Sequence, residues 1–134
     1  DNINEIEVSK SIKDLGIDYL FIIGWSQIAK THILNSPTIA TLGMHPTLLP
    51  MGRGRASIPW TILKGIKKAG VTLFKLTEGV DSGPIVSQIK ISVSEDEDAT
   101  TLYKKVNRSH VLLMGKFLNA LSKGNIEYFV IAIK

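Results

Sequence analysis

His45 stands just past the apolar run TIATLG and heads the stretch PTLLPMGRGR, too rich in proline and glycine for helix or sheet. Asp81 follows 36 residues later, in the turn TEGVDSGP, with Thr77 and Glu78 close by. An imidazole can donate to a developing oxyanion or move a proton. A carboxylate can hold the tautomer of that histidine, or a water that shuttles protons. Gly79 and Gly83 in the same turn allow positive φ or a close ligand approach. A third group, Gly24-Trp25-Ser26-Gln27, ends an earlier apolar run. Brought to one cleft, these residues suit acyl transfer.

Each also has a plainer explanation. A histidine before proline at a strand end is commonly an ordinary loop residue. An aspartate in a glycine-rich turn commonly serves the turn itself. Arg53 and Arg55 read as solvated loop charges, and Trp60 as core. His32 and His110 fall on expected helices. Three histidines without carboxylates at ligand spacing do not suggest a metal site. The residues alone leave both an enzyme and an ordinary α/β module open.

The elements that must position these groups are legible in outline. EIEVSKSIKDLG places Ile6, Val8, Ile12 and Leu15 at helical spacing, with Gly16 as the stop. IDYLFIIG and TIATLG are near-continuous apolar runs, expected as strands buried on both faces. Between them SQIAKTHILNS reads as a short helix capped by Ser26. IPWTILKG reads as another, ending at Gly65. GVTLFKLT and PIVSQIKISV are expected strands, the second opened by Pro84. A long amphipathic helix follows, with Leu102, Val106, Leu113, Phe117 and Leu121 on one stripe and Gly124 after it. EYFVIAIK reads as a last strand or a tail. The alternation predicts an α/β domain with an open, mostly parallel twisted sheet flanked by helices. In such sheets ligands sit beyond the carboxyl ends of the strands.

The bulk properties agree. The 134 residues suit one domain, 1–134, with 44% hydrophobic and 21% charged residues. No cysteine is present, so disulfides and thiolate metal sites are excluded. The net charge of +4 could attract phosphates. The lysines are scattered, with short pairs such as Lys67-Lys68 and Lys104-Lys105, which is no nucleic-acid footprint. No apolar run is long enough for a membrane span, and no signal peptide precedes the first helix, so the expected compartment is the cytoplasm.

The ordered motifs HPTLLP, RGR and EGVDSGPI resemble the catalytic core of the folate-dependent formyltransferases, the family of methionyl-tRNA, glycinamide ribonucleotide and amino-sugar formyltransferases. The likeness runs from about Asp18 to Lys104. It implies a Rossmann-like formyltransferase fold, incomplete at the N-terminus because the family's first strand and Gly-rich loop would precede Asp1. It implies 10-formyltetrahydrofolate as cosubstrate, without metal, and a primary amine as acceptor. His45 would stabilise the oxyanion, and Asp81 would orient His45 and a proton-relay water. The folate would lie against Ile23, Gly24, Trp25 and Gln27 on one side and Thr77, Glu78, Gly79 and Val80 on the other. Arg53 and Arg55 would meet the acceptor. GWSQI looks more like the branch acting on nucleotide-linked amino sugars. Methionyl-tRNA formylation, with tRNA as partner, is the alternative; a non-catalytic remnant that binds folate or a partner is a third. The family has Asn two residues before its histidine, where this chain has Gly43. Association with a second copy, or with a missing N-terminal half, would cover the sheet edge left open. A membrane partner is not expected.

Overall fold

The computed structural model describes residues 2–126. EYFVIAIK, residues 127–134, lies outside them. In chain order the elements are α1 (Ile6–Asp14), β1 (Tyr19–Ile22), α2 (Thr31–Leu34), β2 (Ala40–His45), α3 (Ser57–Leu63), β3 (Lys68–Lys75), β4 (Ile85–Ser92) and α4 (Ala99–Ser122). The strands form one sheet in the order β1-β2-β3-β4.

The open α/β sheet with flanking helices is as expected, but the predominantly parallel pairing is not. Among the described residues only β1 and β2 run parallel, with Tyr19 opposite Ala40. β2–β3 and β3–β4 are antiparallel. The connections explain this. Between β1 and β2 the chain returns through α2 to the same end of the sheet, as a parallel pair requires. α3 has seven residues and spans only about 10 Å. β2 is about 20 Å long at its six residues. The chain therefore re-enters the sheet from the end where it left. β3 and β4 are joined by the turn of residues 76–84, a hairpin connection.

β2 is buried nearly throughout, as its sequence suggests, whereas β1 is half-buried along its length because it lies at the sheet edge. α2 begins after Lys30 rather than at Ser26, whose segment instead forms an open loop. One face of the sheet packs Leu42, Val71 and Leu73 against Leu102, Val106, Leu113 and Phe117 of α4. Tyr19 and Phe21 meet the Phe117 ring edge-on, at 5.5 and 5.7 Å between centroids. Each fully buried side chain of this size contributes about 1.5–3 kcal/mol. The alternate residues Leu20 and Ile22 face Ala29, Ile33 and Leu34 on the other side. Asp98 caps α4 by accepting from the Thr101 N–H at 2.7 Å, and its own N–H donates to Thr101 Oγ1 at 3.1 Å. No helix among the described residues is long and apolar enough to cross a membrane.

Candidate active site

His45 is the last residue of β2, and the sheet delivers it to the carboxyl edge opposite Thr72 of β3. Its Nε2 lies 2.8 Å from the Gly52 carbonyl. A carbonyl only accepts, so Nε2 carries a hydrogen and donates. Nδ1 approaches Asp81 Oδ2 at 3.5 Å, an ion-pair distance longer than a direct hydrogen bond. Both side chains are largely covered, at 10% and 19% exposure.

Two segments clasp each other to make this pair. Asp81 has φ +46°, a left-handed conformation that Asp tolerates better than most residues. Its Oδ2 accepts from the Gly54 N–H at 2.8 Å, and its carbonyl accepts from Arg53 Nε at 3.0 Å. The turn is closed at its base, where the Lys75 N–H donates to the Pro84 carbonyl at 2.9 Å. Gly83 lies against the Lys75 carbonyl so closely that no side chain fits there. Neither Gly79 nor Gly83 takes positive φ; Asp81 itself makes the left-handed bend. Thr72, fully buried, ties the start of the His45 loop to β3. Its hydroxyl donates to the Thr47 carbonyl at 2.7 Å and accepts from the Leu49 N–H at 3.1 Å.

Beside the pair opens a cleft of about 580 Å³. Gly24, Trp25 and Gln27 form one side, and Thr77, Glu78, Gly79 and Val80 the other, with His45, Asp81 and Arg55 between them. Trp25 and Val80 remain 54% and 57% exposed, so apolar surface faces the opening. The expected site residues thus converge, with two exceptions. Ile23 does not line the cleft, because successive residues of an extended chain point to opposite faces and its neighbour Ile22 takes the cleft side. Arg53 does not line it either, because its guanidinium turns inward to the Asp81 carbonyl. Trp60, expected in the core, is half exposed beside Lys64.

Sequence reasoning missed three contributors. The Thr31 hydroxyl donates to the Glu78 carboxylate, joining α2 to the acidic turn. The Gly52 carbonyl fixes the ring of His45, and no side-chain pattern announces a carbonyl. Leu76 fills the space beside Gly43: a Cβ on Gly43 would lie 2.7 Å from Leu76 Cδ2. A glycine inside a buried strand was the available signal for that close approach.

Residues 2–118 match the model of the Formyl transferase family. The methionyl-tRNA formyltransferase of Kosmotoga olearia is 33% identical over 94% of this chain and 40% of that protein. The bifunctional polymyxin resistance protein ArnA of Wigglesworthia glossinidia brevipalpis is 31% identical over 94% of this chain and 19% of that protein. Among solved structures, phosphoribosylglycinamide formyltransferase from Bacillus halodurans has a TM-score of 0.71 and 31% identity, over 77% of this chain and 53% of its own. A sugar N-formyltransferase from Shewanella sp FDAARGOS_354 superposes with a TM-score of 0.85 at 21% identity, over all of this chain and 53% of its own. The chain spans about two fifths of the length of the methionyl-tRNA formyltransferases it matches. With its His45–Asp81 pair at the sheet edge and a family match across most of its length, the chain belongs to the formyl transferase family.

Proposed function

We propose that this chain carries the folate-binding and formyl-transfer centre of a 10-formyltetrahydrofolate-dependent formyltransferase. The approach of His45 Nδ1 to Asp81 at the mouth of the cleft carries the reading. An acceptor amine attacks the formyl carbon, and the carbonyl oxygen becomes an oxyanion. In this reading both ring nitrogens of His45 carry hydrogen: Nδ1–H points to Asp81, and Nε2–H, now spent on the Gly52 carbonyl, exchanges that partner for the oxyanion. The C–N10 bond then breaks, and the proton lost by the amine reaches N10, with Asp81 placing the water that relays it. An oxyanion donor of this kind supplies about 10²–10³ in rate, and proton handling about 10²–10⁴. The pterin lies between Trp25 and the 77–80 turn, where main-chain groups can read its donor and acceptor edge.

The acceptor in this reading is the amine of a nucleotide-linked amino sugar, supported by the GWSQI segment at the cleft. A formyltransferase from Anoxybacillus kamchatkensis with the same fold was solved with a UDP-linked formamido sugar and tetrahydrofolate. Methionyl-tRNA is the second reading, favoured by the 32–38% identity to methionyl-tRNA formyltransferases over most of the chain. Tetrahydrofolate titration followed by Trp25 emission, beside a formyl-transfer assay with each acceptor, tests both. Saturable quenching is expected, and His45→Ala is expected to lower transfer by about 10²–10³ with folate affinity kept. Absence of folate binding would defeat the reading; binding without turnover on either acceptor would leave a folate-binding module instead.

A further inference from the structure

A second cleft, of about 440 Å³, lies beside the first, and Arg55 and Ser57 border both. Its wall holds four cations, Arg53, Arg55, Lys64 and Lys68, and no Asp or Glu. None of the four is ion-paired to a carboxylate among the described residues. Arg53 spends Nε on the Asp81 carbonyl, while its Nη2 is buried without a hydrogen-bond partner. The remaining wall is largely apolar, with Leu48, Met51 and Ile66 beside Trp60. The Trp60 indole is 53% exposed, with Lys64 Nζ 5.3 Å from its ring centroid.

Uncompensated cations over an apolar floor suit a ligand that joins a multiply charged anion to a flat, weakly polar body. The volume lies in the range of small-molecule sites and is larger than one inorganic phosphate needs. The cations converge on one hollow instead of tracking a stripe, which is not the footprint of a nucleic-acid strand. We propose that this second cleft binds a free nucleotide, its phosphates between Arg55, Lys64 and Lys68 and its base against Trp60. The site needs neither His45 nor folate, and its nucleotide is a second ligand beside the acceptor of the formyl-transfer reading, although Arg55 borders both clefts. Arg53 connects the two clefts, since the same side chain holds the Asp81 carbonyl.

The chain's two tryptophans lie one in each cleft, which makes the test direct. In a Trp25→Phe protein, Trp60 alone reports. ADP is expected to change its emission saturably, inorganic pyrophosphate to bind more weakly, and adenosine to have no effect. Lys64 and Lys68 are exposed, so a Lys64→Ala, Lys68→Ala protein keeps its fold; its ADP affinity is expected to drop roughly tenfold or more. Calorimetry on the unaltered chain should return the same affinity, falling with added salt. The proposal is overturned by no heat and no emission change at millimolar ADP, or by equal affinity in the double-lysine variant. Adenosine binding as tightly as ADP would also overturn it. So would displacement of ADP by tetrahydrofolate, which would put the nucleotide in the first cleft.

Discussion

The packed face of the sheet and its carboxyl edge are built on different principles. Where α4 packs on β3 and β4, Leu102, Val106, Leu113 and Phe117 are held by shape and exclusion of water, each against several neighbours. Around His45 the chain is held by single directed bonds: Gly54 N–H and Arg53 Nε on Asp81, Gly52 carbonyl on His45, Thr72 hydroxyl on the loop. Apolar packing tolerates imprecision and fails gradually. A network of single hydrogen bonds fixes atoms to a few tenths of an ångström, as placing a reacting group requires, and it fails link by link.

That contrast can be broken most forcefully from the packed side. Leu113 is fully buried, and Leu113→Ala should cost about 2–5 kcal/mol, read by urea unfolding. The surviving folded fraction should keep its folate affinity; a protein that lost affinity at unchanged stability would erase the distinction between the regions. Thr72→Val probes the seam between them. It strands the Thr47 carbonyl and the Leu49 N–H, and about 1–3 kcal/mol should be lost. Formyl transfer should fall by more than the stability loss accounts for, and the Leu49 amide should exchange faster with solvent. Unchanged exchange at Leu49 would mean the loop does not depend on that hydroxyl.

The smallest effect is expected in acid, at the start of α4. The hydrogen bond from Lys105, then that from Thr101, holds the Glu97 carboxyl down at about 2. The Thr101 backbone N–H, then its hydroxyl, lowers Asp98 as well. Both carboxyls bind protons more weakly folded than unfolded. Their stabilisation is therefore complete above the ordinary carboxylate range near pH 4.5 and is lost as the pH falls toward about 2 for Glu97. Thermal unfolding midpoints should drop through that window, and Lys105→Met should flatten part of the fall. A flat profile in the unaltered chain would show that the α4 cap contributes nothing.

How much was legible follows the same division. The stripe on α4 and the buried run of β2 could be read because apolar periodicity is written in side chains. β1 misled because IDYLFIIG is as apolar as a central strand, and a sequence does not say which strand lies at the edge. The antiparallel return into β3 was implicit in the shortness of IPWTILKG, which the sequence bounded at Gly65, but alternation of helix and strand pointed to a parallel sheet instead. His45 and Asp81 could be placed at one edge from their positions after strand-like runs. What joins them could not be read. The left-handed bend at Asp81, the Gly52 carbonyl and the inward turn of Arg53 depend on backbone groups that every residue carries.

The contact between Gly43 and Leu76 favours one order in any route to a different site. An amide introduced at position 43 would meet Leu76 Cδ2 at 2.7 Å before reaching the cleft. A lineage, or a library, that adds that donor beside His45 must also turn the Leu76 side chain aside or shorten it. Shortening Leu76 first makes the second change easy; made in the opposite order, the same two changes pass through a strand against which Leu76 has to repack.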